Sequence, residues 1–296
     1  MTDGDANFDD VEDVRARLAD AGYLADEAIA TTAFLADRLS KPLLVEGPAG
    51  VGKTELAKAV AVALGAGLVR LQCYEGLDEA RALYEWNYKL QLLRIQAAQA
   101  ASDDVQWDAV QDDIFTEEFL LARPLLTAIQ RSEPTVLLVD ETDKADIEVE
   151  GLLLEVLSDF QITVPELGTL RAKRRPFVIL TSNRTRELHD ALKRRCLYLW
   201  LSYPDADREK AIVLARVPEV AVRLAEQVVA TVRALRAMDL RKPPSIAETI
   251  DWARTMLALG VDTLDETVAA ATLGVVLKHR VDQDRAVGQL HLPQRA

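Results

Sequence analysis

The sequence predicts an α/β nucleotide-binding core followed by a smaller all-helical region. Short apolar runs typical of buried strands alternate with helical patterns up to residue 204, and only helical patterns follow. A glycine-rich segment at 47–54 lies between the first predicted strand and a helix, and two carboxylates follow the third strand. Together these observations indicate a five-stranded parallel sheet with its functional residues at the carboxyl ends of the strands.

The glycine-rich segment fits the phosphate-binding signature G-x-x-x-x-G-K-[ST]. Residues 42–45 before it form a predicted strand, residues 55–64 after it favour a helix, and Gly65 marks the end of that helix. Glycines allow backbone N–H groups to face phosphate oxygens, and the helix N-terminus adds positive partial charge. This context makes a chance glycine-rich turn the weaker interpretation.

We expect this segment to bind ATP and Mg²⁺. Lys53 would reach the β- and γ-phosphates, and the Thr54 hydroxyl would bind the metal. The residues expected to contact the nucleotide are Gly47, Pro48, Ala49, Gly50, Val51, Gly52, Lys53, Thr54 and Glu55.

A carboxylate pair follows the predicted third strand at 135–139. Because ligands of open α/β sheets lie at the carboxyl ends of the strands, Asp140 and Glu141 would face the phosphates. We expect Asp140 to hold Mg²⁺ and Glu141 to act as the general base that polarises the attacking water. The alternative is an acidic turn after a buried strand, which the phosphate-binding loop upstream makes less favourable.

Composition narrows the possible partners and location. The 296-residue chain is long enough for two domains, and its formal net charge of -13 disfavours nonspecific binding of DNA or RNA. No apolar run approaches the roughly 18 residues needed to cross a bilayer, and the acidic start lacks a signal-peptide pattern, so we expect a cytoplasmic protein.

A local basic run is either a partner contact or, more commonly, a solvated loop. It comprises Arg171, Lys173, Arg174 and Arg175.

The two cysteines, Cys73 and Cys196, lie far apart in apolar runs and match no metal-binding spacing. We expect buried free thiols. Tyr23 and Leu24, just upstream of the glycine-rich segment, have two interpretations, a cover for a purine ring or the ordinary packing of a helix junction.

The remaining elements follow from hydrophobic periodicity and from capping or turn residues. Up to the carboxylate pair we expect disorder at 1–10, helices at 11–21 and 26–39, a strand at 68–73, a mostly helical stretch at 77–99, a loop or insertion at 100–113, a helix start at Thr116 and a helix at 124–130. After it we expect a helix at 147–158, a hairpin from 160–164 and 166–170, strands at 177–181 and 197–201 around a helix at 189–194, and helices at 205–215, 219–238, 245–259 and 264–278. We place the domain boundary at Pro204, which gives an α/β domain over 1–204 and a helical lid over 205–296.

This arrangement resembles an AAA+ ATPase, a P-loop NTPase core followed by a small helical lid domain. Residues 42–54 (PLLVEGPAGVGKT), 140–145 (DETDKA) and 181–183 (TSN) are similar to the MoxR branch, and 188–199 (LHDALKRRCLYL) to its CoxD-like members. The resemblance covers nearly all of the chain after about residue 20. Its Walker motifs are specific to P-loop ATPases.

The resemblance implies further site residues. Asn183 matches sensor 1, which would orient the attacking water with Glu141. Arg194 or Arg195 matches the arginine finger that serves a neighbouring subunit, and Arg195 aligns better because it stands directly before the residue that opens the fifth strand. The alternative is a basic helix C-terminus favoured by the helix dipole. No arginine stands inside the helix start that usually carries sensor 2, which leaves Arg241 and Lys242 in the preceding loop as substitutes.

The function implied by the resemblance is an ATP-hydrolysing homo-oligomeric ring, hexameric in this family, that acts as a chaperone. Its partner would carry a von Willebrand factor A (VWA) domain, and its protein client would be a metalloenzyme. The main alternative is a DNA-handling AAA+ motor or helicase-loader-like ATPase, which the acidic charge disfavours. A small-molecule kinase and a non-hydrolysing scaffold fit the motifs less well.

Overall fold

The computed structural model describes residues 7–101 and 113–290. Their contacts form two compact units. The first comprises the described residues within Met1–Arg17, Ala25–Glu46 and Thr54–Leu199, and the second those within Leu18–Leu24, Gly47–Lys53 and Trp200–Ala296. The domain boundary at Pro204 stays a prediction. Among the described helices, none has the length and apolar character that a membrane crossing requires.

The strands of the described residues, in chain order, are β1 (Leu43–Glu46), β2 (Gly67–Gln72), β3 (Tyr84–Trp86), β4 (Leu120–Ala122), β5 (Thr135–Asp140), β6 (Gln161–Val164), β7 (Gly168–Arg171), β8 (Phe177–Ser182) and β9 (Leu197–Trp200). The helices are α1 (Val11–Asp20), α2 (Glu27–Arg38), α3 (Lys53–Ala63), α4 (Glu79–Ala82), α5 (Tyr88–Ala101), α6 (Pro124–Gln130), α7 (Ile147–Asp159), α8 (Asp190–Arg195), α9 (Ala206–Arg216), α10 (Val222–Arg236), α11 (Ile246–Ala258), α12 (Glu266–Thr272) and α13 (Arg280–Gln289).

Five strands form one parallel sheet in the order β2-β5-β8-β1-β9, so the predicted fold class is confirmed. Every residue of β1, β5 and β8 is buried, because helices cover both faces of a parallel sheet. Gln72 pairs with Asp140 in the β2–β5 register, and Glu46 pairs with Ser182 in the β1–β8 register. Together with the β5–β8 pairing, these pairings bring the polar carboxyl-terminal ends of β2, β5, β8 and β1 to the same end of the sheet.

Several predicted elements are confirmed. The predicted hairpin forms from β6 and β7, and α6 begins at Pro124 as expected. The last predicted helix, 264–278, is instead α12 followed by a 3₁₀ turn at Leu273–Val275, and α13 comes after it. Cys73 is buried, Cys196 is partly buried, and both are free. Burial raises the pKa of each thiol to about 12, so both are protonated at neutral pH.

Two predictions were wrong at the start of the chain and in 77–99. Residues 7–10 are ordered, because Phe8 is buried and the Asp37 carboxylate accepts hydrogen bonds from the N–H groups of Asn7 and Phe8. The stretch 77–99 is not one helix, because Tyr84–Trp86 pairs antiparallel with Leu120–Ala122.

The helix start predicted at Thr116 is a 3₁₀ turn, Glu117–Phe119. Most of the predicted insertion at 100–113, and residues 1–6 of the predicted disordered segment, lie outside the described residues.

The second unit has its own apolar core around Trp252, which is fully buried and donates its indole N–H to the Thr272 hydroxyl at 2.8 Å. A charged pair lies inside this unit. Arg236 of α10 donates two hydrogen bonds, of 2.6 and 2.8 Å, to the fully buried Glu209 carboxylate of α9. Thr249 of α11 donates to the same carboxylate at 2.7 Å, so this pair joins three helices.

Removing Glu209 should therefore destabilise the helical unit. Glu209→Ala leaves the Arg236 charge buried without its partner, and we expect a loss of about 3–5 kcal/mol in unfolding free energy. Hydrogen exchange of peptides from α10 and α11 measures this loss. Glu226→Ala is the matched control, because Glu226 pairs with Lys210 at the surface and its loss should cost below about 1 kcal/mol. Equal protection in the two variants would contradict the structural role of Glu209.

Candidate functional site

The loop between β1 and α3 has backbone geometry that favours glycine. Gly47, Gly50 and Gly52 have φ values of 153°, 74° and 97°. A Cβ on Gly47 would lie 2.0 Å from the Leu201 carbonyl oxygen, and one on Gly50 would lie 2.1 Å from Ser245 Cβ. The backbone conformation therefore explains all three glycines, and close packing is a second reason for Gly47 and Gly50.

Lys53 is the first residue of α3, and its side chain is turned into the loop. Its ammonium group donates hydrogen bonds of 2.8 Å to the Gly47 and Pro48 carbonyl oxygens, and the residue is only 7% exposed. Val51 is buried, and Glu55 forms a surface ion pair with Lys58. The N–H groups of a helix start and a lysine ammonium in one loop suit a polyphosphate.

The Asp140 carboxylate at the end of β5 collects three donors within the first unit. Thr54 Oγ1 lies 3.1 Å from its Oδ1, Thr181 Oγ1 donates to Oδ1 at 2.5 Å, and Arg70 Nη2 donates to Oδ2 at 2.6 Å. The Asp140 side chain is 3% exposed.

The pair of Thr54 and Asp140 fits Mg²⁺, which takes hard oxygen ligands and is usually held by one or two carboxylates together with substrate phosphates. No group of three or more His, Cys, Asp or Glu side chains able to hold a metal occurs among the described residues.

Glu141 adopts a left-handed backbone conformation, with φ 56° and ψ 47°. For a residue other than glycine this conformation costs about 1–2 kcal/mol. The Thr181 hydroxyl accepts the Glu141 N–H at 2.9 Å, so one threonine holds both residues of the carboxylate pair. The Glu141 carboxylate accepts hydrogen bonds from Gln72 Nε2 at 3.0 Å and from Lys144 Nζ at 2.6 Å.

Asn183 follows β8 and is anchored through its backbone. Its N–H donates to the Asp143 carboxylate at 3.1 Å, and Thr185 donates both its N–H and its hydroxyl to the other Asp143 oxygen. Burial acts to raise the pKa of Asp143, but these hydrogen bonds outweigh it and the pKa lies below its ordinary value. The ionised Asp143 therefore fixes the segment that carries Asn183.

The two candidate finger arginines lie at the end of α8 and both are exposed. Arg195 Nε donates to Ser158 Oγ of α7 at 2.6 Å. The Arg194 guanidinium makes no hydrogen bond or ion pair within the described ranges 7–101 and 113–290. Glu150, buried in α7, accepts hydrogen bonds from the Arg186 side chain and from the His189 N–H, and so attaches the start of α8 to α7.

In the second unit, the start of α11 lies against the glycine-rich loop. The Ile246 N–H donates to the Gly50 carbonyl oxygen at 3.2 Å, and Ser245 with Glu248 forms a capping box at this helix start. The backbone N–H groups of Arg241 and Lys242 both donate to the buried Asp282 carboxylate, which fixes the preceding segment.

Upstream, the Tyr23 ring comes within 3.7 Å of a Cβ placed on Gly52. This contact is compatible with both interpretations of Tyr23. Leu24 contacts the rest of the second unit through its backbone, since its carbonyl oxygen accepts a hydrogen bond from Arg208 Nη2 at 2.8 Å.

Comparison with known proteins identifies the family of the chain. Residues 42–196 match the model of the AAA domain, dynein-related subfamily, which is more than half of the chain. The chain belongs to this AAA family. Its members are AAA+ ATPases, so membership supports ATP binding and hydrolysis in general.

Curated relatives match about half of the chain. Chaperone protein ClpB 2 of Parasynechococcus marenigrum is 32% identical over 137 residues, which are 46% of this chain and 13% of that protein. Chaperone protein ClpB of Tropheryma whipplei is 31% identical over 164 residues, which are 55% of this chain and 20% of that protein. The match thus spans a fifth or less of the length of these relatives.

Two RuvB mutants from Thermotoga maritima are similar solved structures. They share 14% and 16% sequence identity with this chain, with TM-scores of 0.48 and 0.46. The alignments cover 96% and 95% of this chain and 83% and 82% of those chains.

Four residues of the candidate site were not predicted from the sequence. They contact the carboxylate pair or the Asn183 segment, and they are Arg70, Gln72, Asp143 and Thr181. Each lies at or near a strand end, and Asp143 and Thr181 also fall inside the segments 140–145 and 181–183 that resemble the MoxR branch. Their partners are set by the register of neighbouring strands, which local patterns do not reveal.

Thr181→Val tests the hydroxyl that joins the carboxylate pair. The variant keeps the shape of the side chain but removes a donor from Asp140 and an acceptor from the Glu141 N–H. We expect the free energy of unfolding in urea to fall by about 1–3 kcal/mol. Thr163→Val, on an exposed position of β6, is the matched control and should change it by about 0.5 kcal/mol or less. A stability loss no larger than that of the control would show that the hydroxyl contributes nothing.

Proposed function

We propose that this AAA domain protein is an ATP-hydrolysing ring subunit of the MoxR branch, close to its CoxD-like members. The observation that carries the proposal is the group formed by Thr54, Asp140, Thr181 and Glu141. It sets a metal-binding oxygen pair beside a carboxylate in a fixed backbone conformation. The glycine geometry of the loop and the AAA family match support the ATPase part of the proposal. The branch rests on the resemblance of residues 42–54, 140–145, 181–183 and 188–199.

Each residue has a role in the proposed hydrolysis. The loop N–H groups and Lys53 bind the phosphates, while Thr54 and Asp140 hold Mg²⁺, which neutralises phosphate charge when bound. Glu141 accepts a proton from the attacking water, and Asn183 helps to orient that water. Gln72 and Lys144 both contact the Glu141 carboxylate, so they control its orientation.

The proposed assembly is a cytoplasmic homo-oligomeric ring, a hexamer, in which Arg194 or Arg195 serves the ATP of a neighbouring subunit. A fixed guanidinium can stabilise the charge that develops on the γ-phosphoryl oxygens. We propose chaperone activity toward a metalloenzyme client together with a VWA-domain partner. The chaperone names of the matched ClpB proteins support the general class of activity. We further propose that residues 205–296 are the lid, with Arg241 or Lys242 in place of sensor 2.

Glu141→Gln separates nucleotide binding from hydrolysis. The variant keeps the metal-binding pair but loses the base, so ATP should bind normally while turnover falls by about 10²–10⁴-fold. Calorimetry measures binding, and phosphate release measures turnover. Glu148→Gln, an exposed glutamate of α7, is the matched control and should behave as wild type. Wild-type turnover in Glu141→Gln would show that another residue is the base.

Lys53→Ala should abolish ATP binding, because the loop loses its cation for the β- and γ-phosphates. Lys58→Ala is the control, since Lys58 lies on the same helix and forms only a surface ion pair with Glu55. If calorimetry shows that Lys53→Ala keeps wild-type ATP affinity, the glycine-rich loop is not the nucleotide site.

Arg194→Ala and Arg195→Ala identify the finger. The finger variant should bind ATP normally and lose turnover by up to about 10³–10⁵-fold, because the contact exists mainly in the transition state. We expect Arg195 to be this residue and Arg194→Ala to serve as its matched control. A mixture of Arg195→Ala and Lys53→Ala should regain activity. At some interfaces an Arg195→Ala subunit supplies an intact nucleotide site and its Lys53→Ala neighbour supplies an intact finger. If the variants assemble and exchange subunits but the mixture stays inactive, Arg195 does not act on a neighbour.

A further inference from the structure

The Arg70 guanidinium lies on the carboxylate that the proposed metal site requires. Arg70 Nη2 donates to Asp140 Oδ2 at 2.6 Å, and the ion pair is asymmetric in exposure. The Asp140 side chain is 3% exposed, whereas that of Arg70 is 50% exposed. This cation comes from β2, the edge strand of the sheet, and was not among the expected site residues.

The two partners differ in their freedom to move. Asp140 ends a central strand and its other oxygen accepts the Thr181 hydroxyl, so its position is fixed. Arg70 is long, flexible and half in water, and it can leave the pair at a small cost in solvation. When another cation approaches Asp140, Arg70 is therefore the partner that moves.

A guanidinium and a divalent cation repel each other when both bind this carboxylate, even if each takes a different oxygen. Mg²⁺ binds oxygens at about 2.0–2.1 Å, which is closer than the Arg70 nitrogen lies to Oδ2. Like charges at such short separations repel each other strongly wherever water is partly excluded. Metal binding by Thr54 and Asp140 and the Arg70–Asp140 ion pair are therefore competing interactions.

We propose that Arg70 is a built-in competitor of Mg²⁺ for Asp140, and this inference rests on the proposed function of the site as an ATPase centre. Arg70 neutralises Asp140 until the metal arrives with its nucleotide, and it is then displaced toward solvent. Because the same Arg70 nitrogen also donates to the Gln72 side-chain oxygen, and Gln72 donates to Glu141, its displacement changes the hydrogen bonds around both carboxylates.

The test compares nucleotide binding with and without metal in Arg70→Gln. The affinity for a non-hydrolysable ATP analogue is measured by calorimetry in Mg²⁺ and in EDTA, for wild type and variant. The ratio of the Kd in EDTA to the Kd in Mg²⁺ should rise by about three- to fivefold, the range expected for loss of a half-exposed ion pair. Titration of Mn²⁺ into the protein–analogue complex, followed by electron paramagnetic resonance, should show a gain in metal affinity of the same factor, because the coupling is reciprocal.

Two further variants serve as controls. Arg81→Gln removes an equally exposed arginine of the same unit that pairs with Asp78, and the ratio should stay at the wild-type value. Arg70→Lys keeps the charge and should give a smaller rise than Arg70→Gln. It also keeps the test decisive if the neutral variant folds poorly.

The outcomes separate this inference from the proposed function. An unchanged or lower ratio in both Arg70 variants, with nucleotide binding intact, would overturn the competitor role and leave the ATPase proposal standing. An unchanged ratio would mark a purely structural ion pair, and a lower ratio would show that Arg70 assists metal or phosphate binding. Failure of wild type to bind the analogue in either buffer would reject the proposed function itself.

Discussion

The arrangement of the first unit depends on a buried negative charge at Asp140. An ionised carboxylate that is removed from water is costly unless several donors satisfy it. Here the donors come from α3, β8 and β2, which are far apart in the sequence. The requirement to satisfy one carboxylate therefore fixes the first turn of α3 and the ends of two strands relative to β5. The group best placed to hold a metal also holds these elements together.

Two more buried carboxylates accept hydrogen bonds that hold the loop after β8 in the same way. Asp143 holds the Asn183 and Thr185 end of this loop, and Glu150 holds its other end through Arg186 and His189. The loop lies between the candidate sensor residue and the helix of the two candidate finger arginines. Both of its ends are therefore attached to the segment that follows the carboxylate pair. These hydrogen bonds connect that segment to the residues beside the proposed sensor and finger.

Much of the fold could be predicted from the sequence because its signals are local. Central strands such as β5 are continuous apolar runs, and α6 begins at a proline, so each can be recognised without its neighbours. The strand β3 could not, because it has three residues, fits a helical pattern equally well and is specified by pairing with distant β4. Phe8 was missed for a similar reason, since its N–H donates to Asp37, which lies far along the chain.

The candidate site also combines features that local sequence shows with contacts that only the folded sheet creates. The phosphate-binding loop and the carboxylate pair are continuous motifs and could be located directly. Arg70 and Thr181 lie on neighbouring strands, and only the register of the sheet brings them to Asp140. The chemistry of a motif is thus visible in the sequence, whereas the contacts that hold it depend on the assembled sheet.

At position 141 the left-handed backbone makes the amino acid that is best for stability differ from the one that is best for the proposed turnover. Glycine would relieve the conformational cost at this position, and asparagine would reduce it, but neither supplies a carboxylate at the end of a side chain as long as that of glutamate. A library screened only for thermal resistance would therefore drift away from glutamate here, while a library screened for ATP turnover would retain it if Glu141 has the proposed role of general base. Natural proteins often accept such a local loss of stability where function requires it. At Glu141 the backbone thus prefers one amino acid while the proposed chemistry requires another.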